Sequence, residues 1–82
     1  MTKERLAAID IGTNSIRCIV VECNQDGSFR ILDDEKDTVR LGEGIAGTGR
    51  ISAAAVERAE AALTRMRKLV TGLKVKAIDA VA

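Results

Sequence analysis

One carboxylate and a short run of flexible and polar residues stand together in AAIDIGTNSI, residues 7–16. Asp10 interrupts an apolar run that reads as a buried strand. A carboxylate there is costly unless a cation or hydrogen-bond donors meet it. Gly12 permits positive φ and lets a ligand approach the backbone. The N–H groups of Gly12, Thr13, Asn14 and Ser15 can converge on an anion, as in other backbone nests. A carboxylate beside such a loop suits a divalent cation or a positioned water, which makes Asp10 the candidate metal ligand. Arg17, two residues further on, is a candidate contact for a phosphate oxygen. The plainer reading of the same residues is an ordinary Gly-Thr-Asn turn, with Asp10 bonding nearby backbone N–H groups. On pattern alone the turn reading stands ahead.

Other stretches offer weaker chemistry. GEGIAGTG, residues 42–49, lacks the Gly-Lys-Ser/Thr ending of a P-loop and the strand-then-helix setting of a dinucleotide loop, so it reads as a flexible connection. Arg40 has two readings, one facing a cleft and one as a plain strand-edge arginine. Asp79 has the same two, cleft-lining or solvent-facing. Asp33, Asp34, Glu35 and Asp37, broken by Lys36, read as a solvated turn before a metal site. Cys18 and Cys23 lie five apart in one strand, on opposite faces, and cannot pair with each other. The chain holds no histidine, which argues against zinc.

The elements that must carry these residues follow from periodicity. Residues 5–11 and 15–23 read as two strands joined by a tight GTN hairpin. NQDG, residues 24–27, signals a second hairpin, and a third strand runs from Ser28 to about Leu41, with its charged middle bulging, bending or lying on a solvated edge. Four glycines in residues 42–49 make a connection and not an element. Ser52 is the expected N-cap of a helix, with Ile51 and Val56 at the staple positions. Val56, Ala59, Leu63, Met66, Val70 and Leu73 step by three and four. Glu57, Arg58, Glu60, Arg65, Arg67 and Lys68 fall on the other face. This is an amphipathic helix of about five turns that packs on the sheet, too short to favour a coiled coil. Gly72 is its expected C′ stop. KVKAIDAVA then reads as a fourth strand, which a crossover sets parallel to a neighbour.

At 82 residues the chain makes one small domain or part of one. With Phe29 the sole aromatic residue, its core must be aliphatic. The net charge of +1, with basic and acidic residues interleaved, gives no nucleic-acid footprint, and one aromatic residue gives no stacking platform. Polar TKER after Met1 and the lack of a long apolar run argue against a signal peptide or membrane span, so a reduced, cytoplasmic protein is expected. The second strand is apolar on both faces, with Ile16, Cys18 and Val20 one way and Ile19, Val21 and Cys23 the other. Such a strand is covered twice. One helix covers one face. The chain is therefore expected to be a fragment, or to self-associate as a homo-oligomer through its open sheet face.

AAIDIGTNSIRCIVVE resembles the first phosphate motif of the actin-like, sugar-kinase and heat-shock ATPase superfamily. More narrowly, it resembles the exopolyphosphatase and guanosine pentaphosphate phosphohydrolase family. VRLGEGIAGTGRIS (residues 39–52), AVERAEAALTRMRKLV and VKAIDAVA are similar to the family's next segments in the same order. The resemblance covers essentially the whole chain. It is specific at DIGTNSIR and RLGEG and generic in the helix. It implies a ribonuclease-H-like mixed sheet of the α/β class, β-β-β-α-β, a truncated half of one actin-like ATPase lobe. Residues 1–82 would be the N-terminal portion of the first lobe. It implies hydrolysis of a terminal phosphoanhydride of inorganic polyphosphate or guanosine pentaphosphate, with Mg²⁺. Asp10 would help hold the metal or its water. Gly12, Thr13, Asn14 and Ser15 would form the phosphate loop, and Arg17 would touch phosphate. The family's catalytic glutamate, second glycine-rich loop and second lobe have no counterpart in these residues, so this chain alone is expected to be inactive. A sugar kinase or ATPase of the same superfamily is an alternative. A non-catalytic phosphate-binding or assembly module is another.

Overall fold

The computed structural model describes residues 3–82, apart from the side chain of Ala46. Strand β1 (Glu4–Ile11) turns into β2 (Ser15–Cys23), and β2 turns into β3 (Phe29–Thr38). A short helix α1 (Ile45–Thr48) precedes the long helix α2 (Ala53–Gly72), which leads to β4 (Ala77–Val81). The four strands form one sheet in the order β3-β2-β1-β4. The β1–β2 and β2–β3 pairs are antiparallel and β1–β4 is parallel, as the crossover required.

Alternation along the strands decides which residues face α2. Ala7 and Ile9 of β1 and Ile16, Cys18 and Val20 of β2 are buried together with Ala62, Met66 and Val70 of α2. Val39, just past β3, is fully buried in the same cluster. Burying each large side chain there stabilises by about 1.5–3 kcal/mol. The opposite face carries Ile19, Val21 and Cys23, which are half-buried, and no second layer covers it among the described residues. The double coverage expected of β2 is therefore met on one face only.

Several expectations are corrected. The third strand ends at Thr38 and not near Leu41, because the next residues turn away to bond the first hairpin. The acidic cluster is not a turn. It forms half of β3, which lies on the sheet edge as its charges led one to expect, and a bulge opposite Val20 and Val21 leaves Leu32 unpaired and packed toward the core. Residues 42–49 are not all connection, since Ile45–Thr48 close one helical turn between two left-handed glycines, Gly44 and Gly49. In α2 the inner stripe is centred on Ala55, Ala62, Met66 and Val70, while Val56 is 41% exposed and Ile51 49%, so the pair forms no buried staple. Ser52 does cap the helix, its hydroxyl accepting the Ala55 N–H at 3.1 Å.

Gly72 is not the stop. It is the last helical residue, and Leu73 is the C-cap. Lys74 takes the left-handed position at φ 54°, and the Lys74 N–H donates to the Thr71 carbonyl while the Val75 N–H reaches back to Val70. This is a Schellman closure with lysine where glycine is usual. The final strand is correspondingly shorter than KVKAIDAVA. No helix among the described residues is long and apolar enough to cross a membrane.

Candidate functional site

The candidate residues gather at the turn between β1 and β2. Ile11 faces Ile16 across the hairpin, and Gly12, Thr13 and Asn14 form its exposed tip. The Gly12 N–H donates to the Ser15 carbonyl at 2.9 Å. Gly12 is thus committed to the hairpin and does not join an anion nest. Nor does it use positive φ. It is glycine because a Cβ there would stand 3.2 Å from the Ser15 carbonyl oxygen. The Thr13 and Asn14 N–H groups find no backbone acceptor among the described residues, and both residues are exposed.

The carbonyls of the same tip are bound from behind. The Asn14 carbonyl accepts the N–H of Val39 at 3.0 Å and of Arg40 at 2.8 Å. The Thr13 carbonyl accepts the Gly42 N–H at 2.8 Å. Reading the sequence alone gave no role to Arg58 beyond the outer face of the helix. Its Nε donates to the Val39 carbonyl at 2.8 Å, and Nη2 lies 3.5 Å from the Arg40 carbonyl and 3.8 Å from the Glu43 carboxylate. Only its place one turn inside α2, opposite an RLG segment of unknown path, could have hinted at this. The buried Val39 anchors the clamp in the core.

Asp10 and Arg17 are cross-strand partners on the exposed sheet face. Arg17 does not pair with Asp10. It forms a two-pronged ion pair with Asp34 of β3, Nε to Oδ1 at 2.9 Å and Nη2 to Oδ2 at 2.6 Å. That pair draws the Asp34 carboxyl below its usual range, the Arg17 hydrogen bond being the main cause. Asp10 has no ion pair among the described residues. Asp10 is the carboxylate here that could hold a divalent cation, together with oxygens that a phosphate ligand would bring. No group of three or more acidic or thiol ligands is gathered among the described residues, either around Asp10 or in β3. Asp79 pairs with Ala8 in the sheet and is exposed, two residues along β1 from Asp10.

The far end of the sheet holds a separate charged cluster. Glu22 is buried beneath α2's end and meets Arg5 at 3.1 Å, Arg30 at 3.2 Å and Lys3 at 3.8 Å. Arg5 also donates to the Leu73 carbonyl at 2.9 Å. The hydrogen bond from Arg5 is the chief reason the Glu22 carboxyl lies below its ordinary range. This cluster ties β1, β2, β3 and the helix end together and stands at the opposite end of β1 from the hairpin.

An antiparallel three-strand meander, a crossover helix on one face, a parallel strand beside β1 and a glycine hairpin at the end of β1 define part of an actin-like ATPase lobe. The chain belongs to the Ppx/GppA phosphatase family, whose model matches residues 19–82. It is 39% identical over 74 residues to Exopolyphosphatase 2 of Mycobacterium tuberculosis, covering 87% of this chain and 23% of that protein. The crystal structure of the Aquifex aeolicus member of the Ppx/GppA family superposes with a TM-score of 0.95 at 31% identity, over 99% of this chain and 26% of that one. An exopolyphosphatase from Cytophaga hutchinsonii superposes with a TM-score of 0.86 at 30% identity, over 94% of this chain and 24% of that one. The chain thus spans about a quarter of the length of these relatives.

Proposed function

We propose that these residues supply one wall of a phosphoanhydride hydrolase site that takes the terminal phosphate of inorganic polyphosphate or guanosine pentaphosphate. The observation that carries this reading is the hairpin tip. Its Thr13 and Asn14 N–H groups have no backbone acceptor, while its Thr13 and Asn14 carbonyls are held by the N–H groups of Val39, Arg40 and Gly42. Donors fixed before the ligand arrives cost no reorganisation when charge must be stabilised. Ser15 adds its hydroxyl at the start of β2. Arg17, neutralised in part by Asp34, contributes its remaining N–H groups at the edge of the site.

Mg²⁺, when bound, would neutralise phosphate charge, and Asp10 is the residue that would hold it with the phosphate oxygens. The attacking water needs a general base, and the family resemblance puts that glutamate outside these residues. Phosphoryl transfer depends on several parts acting together. The 82-residue chain therefore binds phosphate without turning it over. Titration with tripolyphosphate and Mg²⁺, followed by amide resonances, is expected to move Thr13, Asn14 and Ser15. An unmoved hairpin at millimolar ligand, or phosphate release by the purified chain, removes this reading.

A second reading, a module that assembles through its sheet, is favoured by one observation. Phe29, Ile31 and Val81 are 64%, 58% and 56% exposed on the face away from α2. We propose a second copy as its occupant. Cys18 and Cys23 are both free thiols.

A further inference from the structure

Arg40 occupies a conformation that its residue type disfavours. Its φ is 52°, in the left-handed region that glycine adopts freely and a long side chain adopts at a cost. The strain is held on both sides. The Arg40 N–H is fixed on the Asn14 carbonyl at 2.8 Å, and its own carbonyl lies 3.5 Å from Arg58 Nη2. Such outliers persist where the surrounding structure over-determines them, and they concentrate at functional sites.

The arginine's charge is also unspent. Arg5, Arg17, Arg30, Arg58 and Arg65 each have an acidic partner. Arg40 has none among the described residues, and its side chain is exposed. The nearest acid along the chain, Glu43, is met by Arg58. The backbone of an exposed arginine without an acidic partner is therefore fixed on the hairpin tip, where the Thr13 and Asn14 N–H groups have no backbone acceptor.

We infer that Arg40 is a second anion-binding group of this hairpin, gripping phosphate oxygens of the same polyanion that the Thr13 and Asn14 N–H groups receive. A guanidinium offers paired donors to phosphate that a lysine cannot reproduce. The inference rests on the phosphate-binding reading of the hairpin. It assigns Arg58 a positioning role, since Arg58 braces the Val39 and Arg40 carbonyls without meeting the ligand.

The test compares tripolyphosphate affinity and melting temperature in the 82-residue chain and its variants Arg40→Gln, Arg40→Lys and Arg40→Gly. Arg67→Gln, which removes an exposed arginine from α2, serves as the charge control. Arg40→Gln should weaken binding about tenfold and Arg40→Lys by less, while Arg67→Gln leaves it unchanged. Arg40→Gly should weaken binding as Arg40→Gln does while raising the melting temperature, because glycine relieves the backbone. A merely structural arginine would not separate affinity from stability in this way. Wild-type affinity in Arg40→Gln overturns the inference while leaving the hairpin reading intact, as does a parallel fall of stability and affinity in all three variants. Absence of any hairpin response in the wild-type chain overturns both.

Discussion

The Asn14 carbonyl oxygen accepts two successive N–H groups, those of Val39 and Arg40, from the segment leaving β3. One acceptor thus fixes the direction in which the chain leaves the sheet, and Val39 is pressed into the core as a result. The Gly42 N–H on the Thr13 carbonyl repeats the link one residue earlier in the hairpin. The candidate phosphate turn is therefore a clamped element whose carbonyls face the protein.

Two glycines of this clamp should differ in their response to alanine. A Cβ at Gly12 would sit 3.2 Å from the Ser15 carbonyl oxygen, a backbone atom that must move for it. A Cβ at Gly42 would meet Thr13 at 3.5 Å, ordinary contact. Gly12→Ala is expected to cost about 1–3 kcal/mol, as overpacked sites do. Gly42→Ala should stay within about 0.5 kcal/mol. Urea unfolding of both variants checks the contrast, and equal losses would mean that the hairpin is not held by this approach.

Lys74 predicts a gain. It closes α2 from the left-handed region at φ 54°, and the Schellman hydrogen bonds from the Lys74 and Val75 N–H groups do not need its side chain. Lys74→Gly is expected to stabilise the chain by about 0.5–1 kcal/mol. A lowered denaturation midpoint would show that the lysine side chain itself supports the helix end.

Strand types, hairpins, the Ser52 cap and the parallel return of β4 were legible because period, turn residues and crossover rules act locally. The exit from β3 was not. Nothing in VRLGEG announces that Val39 and Arg40 donate to Asn14, since that bond joins residues 25 and 26 positions apart. The helix stop misled for the opposite reason. Gly72 is the customary residue, but the chain turns two residues later on a lysine. Asp10 and Arg17 were legible as neighbours across a hairpin. The capture of Arg17 by Asp34 depended on the β2–β3 register, and a bulge at Leu32 sets it by shifting every later residue of β3.

Glu22 sets an acid limit on stability. Its carboxyl lies below the ordinary range in the folded chain, chiefly through the Arg5 hydrogen bond, with the charges of Arg30 and Lys3 adding to it and burial opposing. Its contribution is then fully present above the unfolded glutamate value of about 4.3 and is lost as pH falls through the lower folded value. Melting temperature should drop as pH falls below about 4. Glu22→Gln should lower stability at neutral pH and flatten the acid fall, because the charge that titrates is gone. An acid limb of unchanged steepness in Glu22→Gln would assign it to other carboxylates, with Asp34 next to be replaced.

The open sheet face makes the last prediction. The β2–β3 register sets Val21 beside Ile31 and Cys23 beside Phe29 on the side away from α2, and the β1 register sets Leu6 beside Val21. Of these, Phe29 and Ile31 are largely exposed, while Leu6, Val21 and Cys23 are half-buried. A continuous apolar surface of this kind is uncommon on a monomer and marks a contact. With a second copy as the occupant, the contact is isologous, the same strip meeting itself across a two-fold axis. Sedimentation equilibrium should then show a dimer that dissociates on dilution. Ile31→Lys places a charge on both sides of that axis at once and should yield a monomer, with unfolding cost small because the side chain is 58% exposed already. A wild-type chain that stays monomeric at hundreds of micromolar, or an Ile31→Lys chain that still dimerises, would exclude this face as the site of self-association.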